Sequence, residues 1–106
     1  MPRRASTSFD CLAAMRALGE PSRLRLVRQL LDGPHPVNDL CDALDLQPYN
    51  ASRHLAVLKS AGLVEVEKVS KQRIYRLAET FRDKLAKNDR VLDLGCCRFD
   101  FNQLPR

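Results

Sequence analysis

The sequence predicts a mostly α-helical domain with a two-stranded β-hairpin, an α+β chain in the order helix, helix, helix, helix, strand, strand, helix. Three observations lead there. Two short amphipathic stretches within residues 37–63 are separated by a tight break. Two Val-, Ile- and Tyr-rich runs, LVEVEKV and QRIYRLA, follow with only Ser70-Lys71 between them. Apolar residues at helical spacing flank this block on both sides, in residues 9–31 and 79–94.

Residues 1–7 are polar and basic and are expected to form a flexible N-terminus. Phe9, Leu12, Met15 and Leu18 then mark a first helix that ends at Gly19. Glu20-Pro21-Ser22 opens a second, with Leu24, Val27, Leu30 and Leu31 on one side, and Asp32-Gly33-Pro34 stops it. Val37, Leu40, Cys41 and Leu44 recur through a third helix, break at Asp45-Leu46-Gln47, and resume as Ala51, Leu55 and Leu58 on a fourth. Pro48 suits the first turn of that fourth helix, where a missing N–H costs nothing, and Gly62 suits the left-handed position past its end. After the hairpin, residues 79–94 (ETFRDKLAKNDRVLDL) return to helical spacing through Phe81, Leu85 and Leu92, with a stop at Gly95. The organisation expected is a folded domain over residues 8–94 and a cysteine-containing tail over 95–106.

A chain of 106 residues supports one domain with little surplus to line a deep catalytic cavity, so a binding module is expected rather than an enzyme. The net charge of +5 and the pI near 9.3 favour a polyanionic partner, and the location of the charge says which face meets it. Between Leu46 and Ala78 the bases Arg53, Lys59, Lys68, Lys71, Arg73 and Arg76 are opposed only by Glu65 and Glu67. The third and fourth helices, with Asn, Ser, Arg and His displayed from the second of them, form a helix-turn-helix, and the hairpin is its wing. Gln47, Tyr49, Asn50, Ser52 and Arg53 on the first turns are the candidates to reach base edges, Arg53 with a bidentate contact to guanine. Lys59, Lys68, Lys71 and Arg73 are the candidates to meet the DNA, the wing bases through phosphates. His54 points away from that face by helical count and is expected to be packed or hydrogen-bonded to backbone. No apolar run reaches membrane-spanning length and the start MPRRASTSFD lacks a secretory apolar core, which places the protein in the cytoplasm with no membrane partner. The four cysteines are accordingly expected as thiols.

The element order, with SRHLAVLKSAGLVEVEK in its middle, resembles the ArsR/SmtB family of small winged helix-turn-helix repressors over about residues 10–94. LGEPSRLRLVRQLL looks like the family's second helix, and SRHLAVLKSAGLV looks like its recognition helix running into the wing. The resemblance implies a homodimer paired through its first and last helices, bound to double-stranded operator DNA with inverted half-sites and released by a ligand. A dimer is also expected because the apolar faces of residues 9–18 and 81–94 exceed what so small a monomer can bury. The wing turn departs from the family, which often carries Gly where this chain has Ser70-Lys71.

The same resemblance frames the signal. The third-helix arsenic site of some relatives uses C-x-C-x-x-C, which here becomes Pro36, Asn38 and Cys41. The last-helix zinc site needs histidines that residues 79–106 lack, and the second-helix cysteine of persulfide-responsive members falls on Arg28. Adjacent cysteines past the last helix resemble those of a subset of arsenical-responsive relatives, and Cys96 with Cys97 suits arsenite, antimonite or another soft ion. A third sulfur from Cys11 of either subunit would complete a trigonal site, while Cys41 lies on the apolar stripe as core. DNA binding itself needs no cofactor on this reading, and As(III) or Sb(III) acts as inducer. The alternatives are a redox- or persulfide-responsive repressor, or a winged-helix interaction module with no metal ligand.

One rival comes from a different class. RVLDLGCC imitates the strand and D-x-G-x-G loop of S-adenosylmethionine-dependent methyltransferases. The glycine that would admit the cofactor is Cys97, and the chain ends at Arg106 without the remaining strands and helices.

Overall fold

The structure, a computed structural model, describes residues 11–94 and 97–103. Its first helix, α1 (Cys11–Leu18), buries Ala14, Ala17 and Leu18 and leaves Leu12 and Met15 exposed. Helix α2 (Pro21–Leu30) starts where the sequence placed it. The Glu20 carboxylate accepts from the backbone N–H groups of Ser22 and Arg23, Pro21 takes the first position, and Leu26, Val27 and Leu30 face inward.

A two-residue strand, β1 (His35–Pro36), runs directly into α3 (Val37–Leu44), and α4 (Pro48–Ser60) follows after three residues. The break between them is left-handed: Asp45 has φ 55° and ψ 51°, and the Leu46 N–H reaches back to the Cys41 carbonyl at 3.0 Å. The far end of α4 closes in a Schellman arrangement, Gly62 N–H to Lys59 O at 2.9 Å and Leu63 N–H to Leu58 O at 3.0 Å, with Gly62 at φ 80°. These bonds satisfy carbonyls that would otherwise be orphaned and send the buried Leu63 straight into the wing.

The wing is β2 (Val64–Val69) paired antiparallel with β3 (Gln72–Leu77), in a register from Val64 opposite Leu77 to Val69 opposite Gln72. Ser70 alone of the two turn residues takes a positive φ, 60°, as the first position of a type II′ turn requires. A serine therefore occupies a place that glycine fills without strain. β1 pairs with the other edge of β3, His35 opposite Tyr75, and makes a three-stranded sheet in the order β1-β3-β2. That strand was invisible in a dipeptide that contains Pro36 and follows Pro34, and it is defined by its pairing with the edge of β3.

The last helix is shorter than its periodicity suggests. α5 (Glu79–Lys87) stops at Asn88, Asp89 and Arg90 turn left-handed at φ 56° and 64°, and the chain re-emerges as β4 (Val91–Asp93). β5 (Arg98–Asp100) pairs with β4 antiparallel, Leu92 opposite Phe99. Asp89 tolerates left-handed φ better than most residues, Arg90 does not, and the Asn88 side-chain amide donates to Val91 O at 3.1 Å across the turn that exchanges the helix for a hairpin. Leu92 is buried either way, delivered by a strand instead of a helix turn.

The expected tail is thereby partly core. Phe101 is fully buried, edge-on to Phe81 at 6.3 Å between ring centroids, with Phe99 stacked beside it at 6.4 Å. The last apolar segment, Phe81, Leu85 and Leu92, is buried within the monomer, whereas Leu12 and Met15 of α1 are not. Among the described residues no helix is long and apolar enough to cross a membrane. Phe101→Ala is expected to cost about 3–5 kcal/mol of stability in urea unfolding, whereas a free tail residue would cost nothing measurable.

Candidate nucleic-acid interface

Helix α4 is built to show one face. Ala51, Leu55 and Leu58 are buried, so the same helix turns Tyr49, Ser52, Arg53 and Lys59 outward. Tyr49 is 72% exposed, a large aromatic surface left in water, and the Arg53 guanidinium lies 5.6 Å from its ring centroid. The stacking holds a cation one helical turn from its base and limits the arrangements it must give up on binding. Gln47 caps the helix N-terminus with no side-chain cap bond and is exposed. Asn50 is exposed too, on the flank that carries His54.

His54 turns from the exposed face as its position implies, but its partners are side chains rather than backbone. It is half-buried, its Nδ1 accepts from Arg23 Nη1 at 3.3 Å, and its Nε2 lies 4.0 Å from Glu20 Oε2. Arg23 in turn donates through Nε to Ala17 O at 2.6 Å and through Nη2 to Arg16 O at 3.3 Å. This Glu20–His54–Arg23 brace ties the end of α1 and the start of α2 to the recognition helix, and it is what sequence reasoning missed. Glu20 was legible as part of a helix start, but nothing local links it to a residue more than thirty positions on.

The wing supplies the second charged element. Lys68 and Arg73 are paired directly across the strands, and Lys71 stands in the turn, all exposed. Like charges directly opposite destabilise a hairpin, so the pair is not there for stability. Arg76 differs: Glu65 at 3.4 Å and Glu67 at 3.1 Å neutralise it. The wing thus presents Lys68, Lys71 and Arg73, which have no ion-pair partner among the described residues.

A helix-turn-helix domain model matches residues 18–67. A biofilm growth-associated repressor of Agrobacterium fabrum is 33% identical over 87 residues, covering 82% of this chain and 72% of that protein. The chain belongs to the ArsR/SmtB family. The transcriptional regulator NmtR of Mycobacterium tuberculosis is 33% identical over 79 residues, 74% of this chain, and the chain spans 66% of its length. Among solved structures, the homodimeric winged helix-turn-helix DNA-binding domain of a possible ArsR-family regulator from Mycobacterium bovis superposes with a TM-score of 0.67 at 29% identity, covering 74% of this chain and 73% of that one. ArsR/SmtB proteins are DNA-binding transcriptional regulators rather than enzymes, and the winged fold built here is theirs.

The cysteines divide. Cys41 is buried in α3, where burial first and the neighbouring Asp42 charge second push its thiol up, which suits core and not a thiolate ligand. Cys97 sits beside β5, half-buried and not disulfide-bonded, while Cys96 lies outside the described residues. Cys11, expected as a thiol, is disulfide-bonded, its partner outside the described residues. Among the described residues no group of three or more His, Cys, Asp or Glu side chains converges to hold a metal ion.

Arg53→Ala is expected to lower affinity for specific DNA by about 1–3 kcal/mol, more than it lowers affinity for random duplex. Lys71→Ala should instead weaken both and reduce the slope of log K against log salt by about 0.9. Fluorescence anisotropy on both duplexes separates the two, and equal losses for Arg53→Ala would refute direct base readout.

Proposed function

We propose that the protein is a cytoplasmic transcriptional repressor that binds double-stranded operator DNA with inverted half-sites as a homodimer and leaves it when a thiol-directed ligand binds. The observation that carries the DNA assignment is the exposed face of Tyr49, Ser52 and Arg53 beside a wing whose Lys68, Lys71 and Arg73 are not neutralised. One helix enters the major groove and the wing grips phosphates. Leu12 at 48% and Met15 at 36% exposure on α1 are the apolar surface that a second copy would cover, in keeping with the homodimeric relative from Mycobacterium bovis. DNA binding on this reading needs no cofactor.

For the signal, Cys96 and Cys97 with Cys11 as third ligand form a soft sulfur site suited to arsenite or antimonite. Cys11 is itself disulfide-bonded, so this site belongs to the reduced protein. A second reading rests on the same bond: a dithiol that loses two protons and two electrons to peroxide, with release of water, would couple oxidation to DNA release. In the oxidised form Cys11 has no thiolate to give a metal, so the two signals exclude one another at that sulfur.

The deciding experiment is release from DNA upstream of the protein's own gene, with the reduced protein titrated with arsenite, antimonite and peroxide in turn. Cys96→Ser and Cys97→Ser should keep DNA binding and lose release by arsenite, and Cys11→Ser should join them if it is the third ligand. Arsenite release that survives in the double Cys96→Ser, Cys97→Ser variant would refute the site, and release by peroxide alone would favour the redox reading.

A further inference from the structure

We infer that the hollow between the start of α2 and the flank of α4 is a seat for a phosphate group, taken in the complex from the DNA backbone on the side of the recognition helix away from the wing. The inference rests on the DNA-binding reading and adds a contact to it. The hollow has a volume of about 150 Å³ and is lined by Arg23, Asn50, Arg53, His54 and Val57. Two guanidiniums and an amide thus surround one small space with no acid among the lining residues. Cations sharing a cavity repel each other until an anion comes between them.

Arg23 is the anchor. Its Nε and both terminal nitrogens each make a hydrogen bond, to Ala17 O, Arg16 O and His54 Nδ1, which fixes the plane of the group. A guanidinium carries five N–H donors, so one remains on each terminal nitrogen, in a plane already fixed and at the wall of the hollow, to meet a tetrahedral oxyanion. The carbonyls at the end of α1 bring only about half a unit of negative charge. The Glu20 carboxylate is committed to the N-terminus of α2 and lies beside His54. Capping α1 explains three of the donors. It does not explain an open hollow with a second cation on its rim.

The position fits a duplex. A helix in the major groove runs between two phosphate backbones, so it needs basic contacts on both flanks. Lys59 lies on the flank of α4 that faces β2 and the wing, whereas Asn50, His54 and Val57 lie on the flank facing α2. Without Arg23 the only charge on this flank would be Arg53, the side chain assigned to the bases.

The test is the salt dependence of binding to a random-sequence duplex, where phosphate contacts supply the affinity. Arg23→Gln is expected to lower the slope of log K against log salt by about 0.9, so that going from about 50 to 200 mM salt weakens it about 3.5-fold less than wild type. Arg23→Lys keeps the charge but cannot reproduce three planar bonds, and should retain the wild-type slope; Gln and Lys variants that behave alike would reduce Arg23 to a helix cap. Val57→Glu places a carboxylate in the hollow without touching those bonds and should lower the slope as Arg23→Gln does, which decides the matter if Arg23→Gln fails to fold by circular dichroism. An unchanged slope in folded Val57→Glu overturns the seat. Inorganic phosphate should shift the melting temperature no more than chloride at equal ionic strength; a rise that Arg23→Gln loses would assign the hollow to a free anion and overturn the DNA contact. A wild type that binds no duplex at low salt would refute the DNA-binding reading itself, a different failure.

Discussion

The burial of one narrow stripe, Ala51, Leu55 and Leu58, governs everything the protein presents to a partner. Fully burying a leucine side chain is worth about 1.5–3 kcal/mol, so the two leucines alone resist rotation of α4 about its axis. With that axis held, no freedom is left in where Tyr49, Ser52 and Arg53 point. The same core receives Leu26 and Leu30 from α2, Leu40 and Leu44 from α3 and Leu63 at the root of the wing. Recognition helix and wing are therefore two projections from one packed block, and their spacing is set by leucines that never touch DNA.

Charge is arranged around that block with some economy. Three acids have a visible task, Glu65 and Glu67 neutralising Arg76 and Glu20 capping α2. Arg53 on the helix and Lys68, Lys71 and Arg73 on the wing are exposed and pair with no acid among the described residues. With a net charge of +5, those unneutralised bases set the local field that a polyanion meets at the recognition helix and wing.

The C-terminal segment changes how a thiol signal would be felt. Cys97 lies on a hairpin clamped by Phe101, whose ring packs on Phe81 of α5, and Cys11 opens α1, whose other end is tied to α2 and α4 through Arg23. A ligand or bond that moved either cysteine would pull on packed elements, and packed cores shift between discrete arrangements more readily than they stretch. A coupling of about 1–3 kcal/mol is enough to change DNA affinity usefully.

The sequence by itself determined the elements whose signals are local: the apolar periodicity of α1 to α4, Pro48 and Gly62 at the ends of α4, the alternating runs of the wing, and the basic residues upon it. The Phe101 anchor, the β1 edge, the β4–β5 hairpin and the Glu20–His54–Arg23 brace were decided only by tertiary structure. Leu85 and Leu92, seven residues apart, read equally well as two helical turns or as a helix, a left-handed turn and a strand, and periodicity cannot separate the two. What separated them was β5, which gives β4 a pairing partner and carries Phe101 into the core. The brace is of the same kind, since a hydrogen bond across thirty-one positions leaves no mark on either neighbourhood until the helices have packed.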